Sequence, residues 1–353
     1  MNIQNGYLVK QTSLMVSIVL LAIAGLLFVT GIADEAARRM TDTYTLQSAV
    51  IYKFSTLSAE VYEYIGVIVM LGTLITVASF NKHQELTIIQ LSAASAPALL
   101  LRLLLPALIL LPIVYGIGEF AAPSWQNNAE QARALLRGEK NPTLRGQWYK
   151  ANNEYVNVEF ISNETELTGI TRFQMNPQKQ LMAASYSKRA VYSDGSWVLI
   201  NTIEVKRTER GFERKTMGIS SWENAVFTPE LVRNLALESS NLTLPELWTQ
   251  VRFRAEAGTL TPALERTLWN RVLFPLQYIG LMFVALAFAF GSFRQKTIGD
   301  AAFKALVLGV ISGLLIDTLS ASLMVLAMPA FAAVLVSNSL FTGLAFYLLK
   351  RRY

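Results

Sequence analysis

The 353 residues are 52% hydrophobic and only 16% charged, where soluble domains carry about 25% charge, and the mean hydropathy is +0.35. With no cysteine and one histidine, disulfides and thiolate metal sites are excluded, and a histidine metal site or Ser-His-Asp triad has no basis. In a chain this apolar, a net charge of +6 reads as a cytoplasmic-side excess of Lys and Arg rather than as a nucleic-acid footprint.

Six stretches are apolar enough and long enough to cross a bilayer core, which takes roughly 20 helical residues: 13–33, 61–80, 97–119, 272–292, 303–326 and 329–349. The first is longer than a signal-peptide core and has only Lys10 upstream, so it is expected to stay as a span. Residues 34–60 follow it and mix Asp34, Glu35, Arg38, Arg39, Asp42 and Lys53, as a translocated loop does.

After the second span comes "NKHQELTIIQLSAASAP", too polar to cross and too apolar for a plain loop. On helical spacing Leu86, Ile89 and Ala93 share a face, with Ile88 and Ser92 beside it. This predicts an amphipathic cytoplasmic helix at about 81–96, with Glu85 near its start, where the helix dipole favours a carboxylate. His83, with no second histidine to pair with, is a loop residue, and Arg102 is placed to snorkel to the headgroups.

Residues 120–266 form a polar block. "GQWYKA", "EYVNVEFIS", "LTGITRFQM", "LMAASYSKRAVY" and "GSWVLINTIEVKRT" alternate in strand fashion, separated by Asn152-Asn153, Asn176-Pro177 and Asp194-Gly195. Such spacing predicts a β-sandwich or jelly roll, followed by helices at "TPELVRNLAL" and "LTLPELWTQVRFRAEAG". The fold class is thus α-helical membrane protein, 3 + 3 spans, with an inserted β domain: residues 1–119, 120–266 and 267–353.

The last three spans carry two charges of interest. Arg271 stands at the outer mouth of the fourth, either as one part of a basic collar with Arg38 and Arg39 or as an interfacial anchor. Asp317 lies inside the fifth, either lining a path or pairing across helices, or else near the watery interface. Gly309 and Gly313, four apart on the same span, suit close helix approach. "NKHQ", "FRQK" and "KRRY" fall on one side, assigned to the cytoplasm, which puts the β domain outside. There is no GxxxxGK[ST] and no HExxH, so energy for any transport must come from a partner. Glu63, Glu119 and Asp317 share no catalytic frame, which speaks against a lipid-modifying enzyme.

Several patches in order resemble the LptF/LptG permeases of lipopolysaccharide export: "ELTIIQLSAAS", "GEFAAPSWQNNAEQAR", "GQWYKANNEYVNVEFI" and "LWNRVLFPLQYIGLMFVALAF". Gly118-Glu119-Phe120 with Ala122-Pro123, and the Leu-Ile-Asp ending at Asp317, are most similar to the LptG branch. The resemblance implies a heterodimer with an LptF-like permease, an LptB-like ATPase dimer below, and a periplasmic bridge of LptC and LptA. It implies an inner-membrane location, no cofactor of the chain's own, and lipopolysaccharide entering between the first span of one permease and the fifth of the other. Glu85, Leu86, Ile88 and Ile89 would then meet the ATPase, and Arg38, Arg39, Arg271 and Asp317 the lipid. Two features depart from the family: Asp34 and Glu35 stand where lysines follow its first span, and the second span has no proline near its outer end. A mechanotransmission or scaffold protein of the FtsX or MacB kind is the alternative, but those place the outside domain after the first span.

Overall fold

The computed structural model describes residues 3–38, 40–91, 95–138, 147–151, 153–163, 165–178, 180–208, 211–222, 227–236, 239–290 and 297–352. The chain divides into a helical unit, Met1–Glu130 with Arg266–Tyr353, and a second unit, Gln131–Glu265.

In the helical unit α1 (Ile3–Arg38) and α2 (Leu46–Lys82) form an antiparallel pair. Gln84, at φ 63°, turns the chain into the short α3 (Glu85–Leu91). Ser95 caps α4 (Ala96–Gly116), its side chain accepting from the Ala98 N–H at 3.4 Å. A π-helical turn, Ile117–Ala121, joins α4 to α5 (Ala122–Leu136). The chain returns through α8 (Pro262–Val272), then α9 (Phe274–Ala289), α10 (Ile298–Val325) and α11 (Ala330–Arg352). Among the described residues five helices can cross a membrane by length and composition, or six if α8 and α9, bent by 57°, make one span. The bend has a local cause: Pro275 has no N–H to give to the carbonyl four residues back, that of Arg271.

Two apolar cores hold this unit. One is built on α2, whose Ile65, Ile68, Val69 and Leu74 pack with Leu281 and Met282 of α9. Gly72 lets α1 come close, since a Cβ there would sit 2.5 Å from Val16. The other collects the ends of five helices around α3: Leu8, Phe80, Leu99, Leu286 and Leu349 pack with Leu86 and Ile89. Lys82, Lys350 and Arg351 mark the same end as basic.

The second unit carries six strands: β1 (Gln147–Ala151), β2 (Glu154–Asn163), β3 (Glu166–Met175), β4 (Leu181–Ser193), β5 (Ser196–Thr208) and β6 (Gly211–Trp222). They make one antiparallel sheet in sequence order, so the described strands form a meander without the crossing connection of a jelly roll. The sheet encloses a core by another device. Its ladder steps over one row, Glu159, Gly169, Lys188, Asn201 and Gly218, which runs straight across β2 to β6. Gly169 and Asn201 sit there at φ 67° and 55°. Either side of the row, residues three apart are both buried: Val158 and Ile161, Leu167 and Ile170, Ser187 and Ala190, Leu199 and Thr202. Strict alternation would put each such pair on opposite faces. Yet Val158, Ile161, Leu167, Ile170, Ala190 and Leu199 share one cluster. The inward phase therefore resets at this row, and the sheet bends around its own core. The helices α6 (Pro229–Ala236) and α7 (Leu244–Glu256) close that core with Leu231, Val232, Leu235 and Phe253. The Trp197 indole donates to the Phe227 carbonyl at 2.6 Å.

Candidate functional site

One cluster of polar groups in the helical unit lies where its helices break. The π turn aims Glu119 inward, leaving its side chain 1% exposed. Gly118 makes this possible, because a Cβ there would fall 2.1 Å from the Tyr62 ring. The Tyr62 hydroxyl donates to Glu119 Oε1 at 2.8 Å. Arg271 brings Nε to 3.3 Å from the other oxygen, Oε2. That contact is an ion pair rather than an aligned hydrogen bond. The Arg271 carbonyl, freed by Pro275, accepts from the Tyr115 hydroxyl at 3.2 Å. Phe274 stacks on Tyr115, with centroids 6.2 Å apart, and tilts against Tyr62. One buried carboxylate thus pins α2, the π turn and the start of the fourth span together.

A second polar group joins α8 to α10. Asn270 Nδ2 donates to Asp317 Oδ1 at 3.0 Å, and Arg266 donates to the Asp317 carbonyl at 2.9 Å. Ser320 donates to the same carbonyl at 3.0 Å. Asp317 is exposed. Trp269 packs edge-on against Phe331 of α11 at 4.8 Å. A third pair, Lys53 with Glu60, lies on α2, the lysine stem passing Gly31 of α1.

At the basic end, α3 is split by face. Leu86 and Ile89 are buried in the chain's own core, whereas Ile88 is 64% and Leu91 83% exposed. Glu85 Oε2 accepts from the Tyr7 hydroxyl of α1 at 3.0 Å. The helix begins at Glu85 rather than at 81, because α2 runs on to Lys82 and the chain reverses at Gln84.

The predicted residues therefore separate. Arg271 is drawn inward to Glu119, and Asp317 is tied to α8. Arg38 ends α1, and neither its side chain nor Arg39 belongs to the described part. Glu119, which the sequence left without a frame, is the centre of the first cluster, and its partners Tyr62 and Tyr115 and the Asp317 partners Arg266 and Asn270 were missed. One signal was available: Pro275 four residues after Arg271 frees a carbonyl that something must satisfy. Each cluster joins side chains of different helices through a carboxylate or a freed carbonyl. Among the described residues no three His, Cys, Asp or Glu side chains group to hold a metal ion.

Comparison with known proteins covers nearly the whole chain. Residues 6–351 match the family described as lipopolysaccharide export system permease LptF/LptG. The lipopolysaccharide export system permease protein LptG of Haemophilus influenzae is 25% identical over 340 residues, 94% of each chain. That of Escherichia coli K12 is 22% identical over 351 residues, 98% of this chain and 97% of its own. With its long apolar helices and inserted antiparallel sheet, the chain is a multi-pass membrane protein and belongs to the LptF/LptG family of lipopolysaccharide export system permeases.

Proposed function

We propose that this chain is the LptG-type subunit of an ATP-binding cassette exporter that lifts lipopolysaccharide from the outer leaflet of the bacterial inner membrane. An LptF-like permease completes the membrane part, an LptB-like ATPase dimer binds at the cytoplasmic end, and the β domain stands in the periplasm toward an LptC and LptA bridge. ATP is hydrolysed by the ATPase, not by this chain.

The observation that carries the reading is the rooting of α3. Its inner face, Leu86 and Ile89, is packed into the ends of α1, α2, α4, α9 and α11, while Ile88 and Leu91 face away from the chain beside Glu85. A push on the outer face by a partner reaches five helices at once. This divides the four residues expected to meet the ATPase: Glu85 and Ile88 touch it, and Leu86 and Ile89 pass the motion on. Two of the spans that border α2, α1 and α10, leave Leu14, Leu21, Leu26, Leu314 and Leu315 exposed, as suits spans that meet lipid and a second permease. Arg38 and Arg39 supply the positive rim for a phosphorylated glycolipid, while Arg271 is committed to Glu119, and the bent sheet receives the acyl chains.

The chain purified alone should hydrolyse no ATP, and from its native membrane it should co-purify with a second six-span permease and an ATPase. ATP turnover by the isolated chain, or a stable homodimer without either partner, would overturn the reading. Glu85→Arg should leave insertion intact and uncouple ATP hydrolysis from export; normal export by that variant would remove Glu85 from the coupling surface.

A further inference from the structure

α8 is only eleven residues long, yet it is tied to three neighbours in three ways. Arg271 reaches the buried Glu119, Trp269 packs on α11, and Arg266 with Asn270, one turn apart, take hold of a single residue of α10. These ties differ in character. The Glu119 pin is buried, so breaking it strands a charge away from water. The hold on Asp317 lies at the surface of this chain, and opening its hydrogen bonds leaves no charge inside the helical core.

The rest of α10 suits a span that moves. Its only other charges, Asp300 and Lys304, pair with each other at 2.9 Å at the far end. Gly309 lets it close on α2, where a Cβ would meet the Met70 side chain at 2.8 Å. Its other side is bare, with Phe303, Val310, Leu314 and Leu315 exposed. When α10 swings away from α2, the Asp317 ties give before the Glu119 pin does, and α8 stays with α2 and α4.

We infer that Asn270 and Arg266 form a releasable latch on Asp317 that holds α10 closed against α2 and α8, and that its release opens this flank of the helical unit to a glycolipid. Asp317 works in it as a hydrogen-bond acceptor and not as a charged ligand for the lipid. All three are positioning residues, and the role in lipid entry rests on the function proposed above.

Asp317→Asn tests the difference, since it keeps an acceptor oxygen for Asn270 but removes the charge. The chain has no cysteine, so labels can be introduced without clearing a background. Spin labels at Tyr64→Cys on α2 and Leu315→Cys on α10, both exposed positions, report the gap in the assembled complex in lipid nanodiscs. Asn270→Leu and Asp317→Leu should raise the ratio of long to short distances about tenfold, which corresponds to about 1.4 kcal/mol. Asp317→Asn should match the parent. If Asp317→Asn opens the gap as Asp317→Leu does, or if Asn270→Leu leaves it unchanged, the latch is refuted.

The second arm is the pair Asn270→Cys with Asp317→Cys. Its disulfide should block photocrosslinking of lipopolysaccharide to the chain, and reduction should restore it. Uptake unaffected by the disulfide would refute release as the entry step. A parent chain that takes up no lipopolysaccharide would instead sink the function proposed above, while the label distances would still decide whether the latch exists.

Discussion

Removing Arg271 should destabilise the helical unit far more than removing the carboxylate it serves. Glu119 is 1% exposed, and its partners in the structure are the Tyr62 hydroxyl at 2.8 Å and Arg271 Nε at 3.3 Å. Arg271→Leu leaves the carboxylate buried without its countercharge, a change that costs about 3–5 kcal/mol. Glu119→Gln keeps an acceptor for Tyr62, and Arg271, 16% exposed, lies near enough to the surface to find water or a headgroup phosphate. Its cost should be about 1–2 kcal/mol. Combining Arg271→Leu with Glu119→Gln removes the buried charge altogether and should recover most of the loss, as exchanges of whole buried pairs do. Unfolding of the four proteins in lipid-detergent micelles provides the cycle, with a coupling energy of about 2 kcal/mol or more expected. If the double variant falls by the sum of the two single losses, Glu119 and Arg271 do not act as a pair and the pin is wrong.

Gly118→Ala puts a methyl group 2.1 Å from the Tyr62 ring and should lower stability by about 1–3 kcal/mol; Tyr62→Leu, which removes the ring, should relieve most of that in the same unfolding assay. Ile88→Asp should leave yield and unfolding unchanged but reduce the ATPase that co-purifies, whereas Leu86→Asp should cost the fold itself; equal yields of the two would contradict the split faces of α3. In the second unit, burial pushes the Tyr149 hydroxyl from 10.0 up to about 12, with Arg254 pulling the other way. The neutral phenol is the form the fold favours, so this contribution is complete below pH 10 and is lost as pH rises through about 12. Near-ultraviolet dichroism between those values should show a loss of β-domain structure that Tyr149→Phe abolishes, and an identical decline in that variant would dismiss the assignment.

Hydropathy made the spans legible because about 20 apolar residues in a row outweigh any local preference. The order of the fold, with an antiparallel β domain between the third and fourth spans, was legible for the same reason: alternation over about ten residues is a strong signal. What escaped the sequence turns on single residues. The π turn at Ile117–Ala121 is one extra residue in a helix, and nothing in "GIGEFAAP" marks it. Alternation in the strands was read correctly on each side of the row through Gly169 and Asn201 but not across it, since a phase shift common to four strands shows only when they are aligned. The half-apolar segment after the second span was recognised as an amphipathic helix, but periodicity alone does not say which face the chain itself covers. Leu86 and Ile89 face the chain because Gln84 reverses it beneath the helix ends. The partners of Arg271 and Asp317 lie 152 and 47 positions away in sequence, beyond the reach of any local pattern.

The two polar clusters also explain why charged residues persist in a part of the chain where they are expensive. A helix broken in an apolar setting exposes carbonyls that must be satisfied by the protein, and the breaks here are supplied in just that way: Tyr115 serves the carbonyl that Pro275 frees. A tyrosine, a glutamate and an arginine at the break then hold α8, together with the apolar contact of Trp269 on Phe331. Burial then decides which joint can open. The Glu119 pin is shut off from water and stays closed through any motion that water does not follow. The Asp317 hold lies at the surface of the chain, and its opening strands no charge within the core. A single short helix between them therefore has a fixed side toward α2 and a yielding side toward α10, and motion of the helical unit should appear at the seam between α10 and α2, where Gly309 lies against Met70, before it appears between α8 and the π turn.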